Sequence, residues 1–243
     1  MDQHLRKVIE IQSSRKESIT IILETLGGDI LTVERMVTEL RYNYDCVYVI
    51  VPNVAMSAGT IFALSANEIL MDYFSYLGPI DPQIEKDGQL VPALSYLNQF
   101  ERLNEKAKMG QITSVEYALI NKMDPGDLYQ FEQSAGLSIE LAEKWLFEYM
   151  LQSVGDQTNG TPSTDEVKTK AKHIATSLND HERWRVHGRG INMKTLREEL
   201  HLPVKNLADC EKLHKSVREY SDLLQDYIRR ESLPAFIHSH GYF

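Results

Sequence analysis

Cysteine is scarce in this chain. Cys46 and Cys210 are the only two among 243 residues. They are too few and too far apart for a disulfide framework or a thiolate metal site, and that usage fits a reducing compartment. Basic residues are also in deficit, with 26 Lys and Arg against 35 Asp and Glu, a formal net charge of −9. This excludes a general nucleic-acid binder, which carries a basic face. No run approaches the roughly 18 consecutive apolar residues of a membrane-spanning helix. The opening "MDQHLRKVIE" is no signal peptide. These absences predict a cytoplasmic protein without a membrane segment. Internal repeats and low-complexity tracts are missing as well.

What is present is enough apolar residue, 42% of the chain, for a full-sized core. "SITIILETLGG" reads as a buried strand ended by two glycines. "DILTVERMVTELR" reads as a helix capped by Asp29, with Ile30, Val33, Met36, Val37 and Leu40 on one face. "CVYVIVP" is a second strand, residues 57–66 a short apolar helix, and "EILMDYF" a third strand; "YLGPIDPQI" is a turn-rich loop. Strand and helix alternate, which predicts a parallel sheet with crossover helices, an α/β fold. From about Pro92 the pattern is helical, over 92–109, 113–123, 127–151, 163–178, 192–200 and 209–231. The expected organisation is a single domain over 1–243. It comprises an α/β core over 1–91 and a mainly helical part over 92–243, with 153–166 as the candidate linker.

Ser57 stands between small residues where a strand gives way to a helix, in "NVAMSAGTIFALSANEI". Serine there has an ordinary role as a helix cap. It also has a chemical one. A serine on a tight strand-to-helix turn, flanked by Ala55, Ala58 and Gly59, has the setting of a nucleophile elbow, and the helix start offers unpaired N–H groups to an oxyanion. Gly27 and Gly28 end the preceding strand. In a parallel sheet both turns open on one crevice. One turn can supply an N–H donor; the other can supply the nucleophile and the N–H of Ala58.

Together "ITIILETLGG", "VPNVAMSAGTIFALSANEI" and "MDYFSYLGPIDPQI" resemble the serine dehydrogenase proteinase (SDH) family of Clp-fold serine peptidases, and "WRVHGRGINM" looks like a further family element. The resemblance implies a ClpP/crotonase-like spiral fold and peptide hydrolysis without a cofactor. It makes Ser57 the nucleophile and Gly27, Gly28 and Ala58 the oxyanion hole. Leu26 stands where the family usually has proline.

A serine hydroxyl needs a base, and no histidine lies where the Clp subunit has its own. His187, in "HGRGINMKTLREELHLPV", aligns with the stretch that carries the Clp aspartate; a near-neutral imidazole suits the role, and a surface histidine in a Gly/Arg turn stays open beside it. Asp81 is the candidate orienter or counter-charge, with a turn-forming role beside it. Lys106 and Lys108, spaced from Ser57 loosely like the lysine of signal peptide peptidase A, are the alternative base. Such a lysine needs burial, and "ERLNEKAKMG" also reads as a solvated face. His173 and His181 carry no signal of their own. His238 and His240 lack acidic or cysteine partners for a metal, and the G-x-G of "HGRGIN" follows no strand, so no dinucleotide is expected.

The expected function is therefore a serine endopeptidase acting on a peptide or protein substrate. A catalytically degenerate scaffold and an acyl-CoA-processing crotonase-type enzyme stay open beside it. A homo-oligomer is expected, with Tyr96, Phe100, Leu146, Phe147 and Met150 as candidate contacts; a helical cap packed over the chain's own core is the alternative.

Overall fold

In the computed structural model, residues 1–11, 16–86, 88–154 and 163–242 are described. Helix α1 (Asp2–Ile11) precedes strand β1 (Lys16–Ile22). Helix α2 (Ile30–Asn43) leads to β2 (Tyr44–Ile50) and β3 (Val54–Ala55). Helix α3 (Ala58–Leu64) leads to β4 (Glu68–Met71) and β5 (Tyr76–Leu77). The hairpin β6 (Gln83–Lys86) and β7 (Gln89–Pro92) follows. Then come helices α4 (Ala93–Lys108), α5 (Ser114–Ile120) and α6 (Pro125–Trp145). A π-helical turn at Leu146–Met150 joins α6 to α7 (Leu151–Val154). Helices α8 (Thr164–Asn179) and α9 (His181–Trp184), β8 (Ile191–Asn192), α10 (Met193–Glu198), β9 (Lys205–Asn206) and α11 (Glu211–Glu231) complete the chain.

The parallel sheet has the order β1-β2-β4-β9, with Ile19 opposite Val47 and Val49 opposite Ile69. Buried Val47, Val49, Ile69 and Met71 line its packed face. Asp29 caps α2 as expected, accepting from Thr32 N–H at 2.8 Å. Val33, Val37 and Leu40 turn inward from that helix, at the period the apolar stripe requires. Together with α3, α6 and α8 they close one large core.

A second sheet, β3-β5-β8, is built from two-residue strands. It contains β5 within the stretch expected to be loop. Strand β5 runs parallel to β3 (Ala55 opposite Leu77) and antiparallel to β8 (Leu77 opposite Ile191). Thr25 extends this sheet beyond β3 through a parallel bridge to Ala55. The ends after Ala55 and Leu77 and the approach to Ile191 therefore share one end of the sheet.

The helical half differs from expectation in detail. Leu146 and Met150 are fully buried in the chain's own core. Tyr96 and Phe100 pack on a satellite cluster around Ala93, Leu97, Leu128 and Phe131, with the Tyr96 and Phe131 rings edge to face at 5.4 Å. Leu146 and Met150 are thus taken up by intrachain packing, whereas Tyr96, Phe100 and Phe147 are half-buried. Most of the candidate linker, 155–162, lies outside the described residues. Its last part opens α8 with a capping box between Ser163 and Glu166.

Helix α11 crosses the carboxyl ends of the parallel strands. Arg218 holds the fully buried Asp72 after β4, with Nε on Oδ2 at 2.8 Å, and reaches Asn53 Oδ1 after β2 at 2.9 Å. Asn53 in turn donates to Glu24 after β1 at 2.8 Å. One ion pair thereby ties three strand ends to one helix.

Candidate active site

Ser57 occupies the turn between β3 and α3 with φ 53° and ψ −122°. This conformation lies outside the ordinary left-handed well and costs a non-glycine residue about 1–3 kcal/mol. The surroundings enforce it. Met56 N–H donates to Thr25 O at 3.0 Å, Gly59 N–H to Met56 O at 2.8 Å and Thr60 N–H to Ser57 O at 2.9 Å. The buried Thr60 hydroxyl donates to Ala55 O at 2.7 Å and accepts from Gly78 N–H at 2.9 Å, locking the start of α3 to the end of β5. The Ser57 side chain makes no capping bond. The helix-cap role does not hold, and the hydroxyl is not committed to the backbone.

Gly27 lies against this serine. Its φ is +118°, and a Cβ there would stand 2.9 Å from Ser57 Cβ and 3.2 Å from Met56 O. Only glycine fits so close an approach. Its N–H, however, already donates to Thr25 Oγ1 at 3.1 Å. Of the three expected donors Gly27 is thus already engaged, while the N–H groups of Gly28 and Ala58 make no hydrogen bond among the described residues. Open space surrounds Gly28, where a Cβ would meet nothing within 4 Å. Leu26, at the position of the family proline, is 81% exposed. The Thr25 hydroxyl closes the turn in its place. Gly59 has a packing duty: a Cβ there would come within 2.3 Å of Thr25 Cγ2. The missing side chain two places after Ser57 lets the Thr25 turn and α3 approach each other.

Asp81 is fully buried after β5. His187 Nδ1 donates to its Oδ1 at 2.9 Å. A carboxylate only accepts, so Nδ1 carries the hydrogen and Nε2 of a neutral His187 keeps its lone pair. The His187 side chain is 22% exposed. Its neighbour Gly190 presses on the Tyr76 ring, where a Cβ would lie 2.6 Å from Cδ1, and this fixes the entry into β8. The structure therefore pairs His187 with Asp81, while the Ser57 hydroxyl makes no hydrogen bond to either of them among the described residues. Sequence reasoning passed over His181, whose Nδ1 meets Asp81 Oδ2 at 3.3 Å. Its only signal was its place beside the helix-capping Asp180.

Lys106 and Lys108 are not part of this cluster. Lys106 Nζ pairs with Glu116 at 2.5 Å and Lys108 with Glu105 at 2.7 Å, on half-exposed to exposed side chains. The Lys106 ammonium and the Thr113 N–H and hydroxyl pull the Glu116 carboxyl down to about 2. The Lys106 ammonium is thus engaged by Glu116 rather than by the Asp81 cluster. Among the described residues no group of His, Cys, Asp and Glu could hold a metal ion, and no helix is long and apolar enough to cross a membrane.

Residues 3–123 match the family described as ClpP-like SDH-type serine proteinase. Two curated relatives come from Methanocaldococcus jannaschii. Uncharacterized protein MJ1495 is 32% identical over 160 residues, covering 66% of this chain and 44% of the relative. Uncharacterized protein MJ0137 is 31% identical over 150 residues, covering 56% and 49%. The chain thus spans about half the length of the curated relatives it matches. A solved structure of a mutant 1510-N membrane-bound stomatin-specific protease with a substrate peptide aligns with TM-score 0.47 and 16% identity. That alignment covers 84% of this chain and 67% of the other.

Proposed function

The chain belongs to the ClpP-like SDH-type serine proteinases through residues 3–123, and from that premise we propose that it is a serine endopeptidase with a Ser57–His187–Asp81 triad. The observation that carries the proposal is the Ser57 turn, φ 53° and ψ −122°, with its side chain left uncapped. Strain of this kind persists only where surrounding contacts over-determine it, and it aims a nucleophile out of the backbone.

In this reading Ser57 Oγ attacks the scissile carbonyl carbon while His187 Nε2 takes its proton. The carbonyl oxygen becomes an oxyanion, and the N–H groups of Gly28 and Ala58 donate to it. Collapse expels the amine, which receives the proton back from His187, and leaves an acyl-serine. Water, activated by the same imidazole, then releases the acid. Asp81 holds the His187 tautomer and faces the imidazolium that forms. No cofactor enters. A crotonase-type acyl-CoA enzyme has no use for a nucleophilic serine in this turn.

We extend the proposal to a cytoplasmic homo-oligomer. Both cysteines are free, and α5 buries none of its residues, leaving Val115, Tyr117 and Leu119 exposed. Sedimentation tests the association; a strict monomer at tens of micromolar contradicts it. The activity is tested with a degenerate peptide library read by mass spectrometry. Cleavage by the native chain and none by Ser57→Ala, at equal thermal stability, supports the reading. Equal cleavage by both overturns it.

A further inference from the structure

Two histidines share one buried carboxylate. His187 takes Asp81 Oδ1 at 2.9 Å and His181 takes Oδ2 at 3.3 Å, with Gln83 Nε2 further off that oxygen at 3.4 Å. We propose that His181 is a positioning residue for the peptidase reaction, holding the Asp81 carboxylate in the plane that presents Oδ1 to His187. The inference rests on the reading of His187 as the base.

The argument begins with torsion. The last torsion of an aspartate is broad and two-fold, so packing alone leaves the carboxylate free to rock. Bulk solvent does not reach the Asp81 carboxylate, since none of its side chain is exposed. A donor on each oxygen removes that freedom. Without His181, Oδ2 would keep only the long contact from Gln83 at 3.4 Å and could swing, and with it the direction in which Nε2 of His187 points. A second imidazole on Oδ2 pins the plane from the other side.

The backbone builds this arrangement on purpose-shaped local structure. Asp180 caps α9, accepting from Arg183 N–H at 3.0 Å, and so fixes His181 at the first helical position. Arg185 then takes φ 66° and closes the four-residue helix by donating its N–H to His181 O at 2.6 Å. The chain reverses within six residues and returns His187 to the same carboxylate. On the other side, Ile80 N–H donates to Leu178 O at 3.0 Å, tying the Asp81 loop to the end of α8 just before His181. Both histidines and the carboxylate therefore belong to one closed circuit of backbone bonds. His181 itself is only 18% exposed in its side chain.

The test uses three substitutions at one position. His181→Asn keeps an N–H donor near the place of Nδ1. His181→Gln carries its amide to the place of Nε2 instead, and His181→Ala has no donor. For a positioning residue, kcat falls about 10- to 100-fold in His181→Ala and His181→Gln, with KM within about twofold, because misplacement by about 1 Å acts on the transition state rather than on substrate binding. His181→Asn stays within about threefold of the native kcat. Independently of activity, the low-field proton resonance of His187 Nδ1–H moves upfield or broadens in His181→Ala and is kept in His181→Asn. Three results overturn the inference. His181→Asn as inactive as His187→Ala makes His181 the base itself. All three variants at native kcat make the contact idle. A matching loss in all three with a lowered melting temperature makes it structural. Full activity in His187→Ala instead defeats the base assignment, and this inference falls with it.

Discussion

Gly27 and Ser57 stand so close that a single carbon added at Gly27 would lie 2.9 Å from the serine Cβ. The contact joins the end of β1 to the turn after β3, and no other residue type permits it at φ +118°. The two glycines of this turn consequently have separate roles. Gly27→Val strains the backbone and pushes Ser57 aside, so both melting temperature and activity fall. Gly28→Val has open space for its side chain and leaves the melting temperature within a few degrees. It shields the N–H from the oxyanion and lowers kcat about 10²- to 10³-fold, the effect of one lost oxyanion donor. Thermal melts beside steady-state kinetics separate the two outcomes.

The base assignment is tested by contrast. His187→Ala lowers kcat about 10²- to 10⁴-fold, the range of a lost general acid–base group. Asp81→Asn falls in the same range, because an amide on His187 Nδ1 permits the wrong tautomer. Lys106→Ala stays within about twofold. The pair lies at the surface, half-buried, and contributes little to stability either. A large loss in Lys106→Ala with an active His187→Ala reverses the assignment.

Gly59→Ala probes the approach of the Thr25 turn to α3. The added methyl meets Thr25 Cγ2 at 2.3 Å. It moves the Gly27 turn away from Ser57 and destabilises the fold by about 1–3 kcal/mol, the usual cost of overpacking. Thr25→Ser, paired with it, frees that methyl space while keeping the hydroxyl that Gly27 N–H uses. The double variant recovers activity that Gly59→Ala loses. Failure to recover assigns Gly59 another duty.

Acid should release α11. Burial alone would raise the Asp72 carboxyl, but hydrogen bonds from Arg218, Phe74 N–H and His214 outweigh it and hold the group below the usual carboxylate range. A lowered folded value means the stabilisation is fully present above the unfolded value, about 3.9. It is lost as pH falls through the folded one. Arg218→Ala leaves the carboxylate buried without its cation, costs about 3–5 kcal/mol at neutral pH, and flattens the acid limb of the stability curve. Urea melts between pH 7 and pH 2 read both effects. An unchanged acid limb in Arg218→Ala shows that α11 is not held by this pair.

Much of the α/β core was legible because its signals are local. The β-branched run of β1, the Asp29 cap and the apolar stripe of α2 each depend on residues within one turn or strand. The two-residue strands β3, β5 and β8 are too short for a period to declare itself; only their register makes them a sheet. The β6–β7 hairpin did carry a sign, the Asp87–Gly88 dipeptide between pairable runs, with Gly88 at φ +74° and Lys86 opposite Gln89. It was masked by the proline-rich stretch before it. At the site, Ser57 and the glycine pair were visible as turn chemistry. His181 was not, because its partner Asp81 is a hundred residues away in sequence and joined to it only by the fold. Nor could residue spacing show that Thr25 occupies the Gly27 N–H.

The most direct test of Ser57 as nucleophile is reaction with a fluorophosphonate, in which the serine oxygen displaces fluoride from phosphorus. Intact-mass and peptide-level mass spectrometry locate the adduct. One phosphonyl group on the peptide containing Ser57, absent from Ser57→Ala and slow to form in His187→Ala, is the expected result. A folded chain that takes no adduct, or one that takes it equally well as Ser57→Ala, contradicts the assignment.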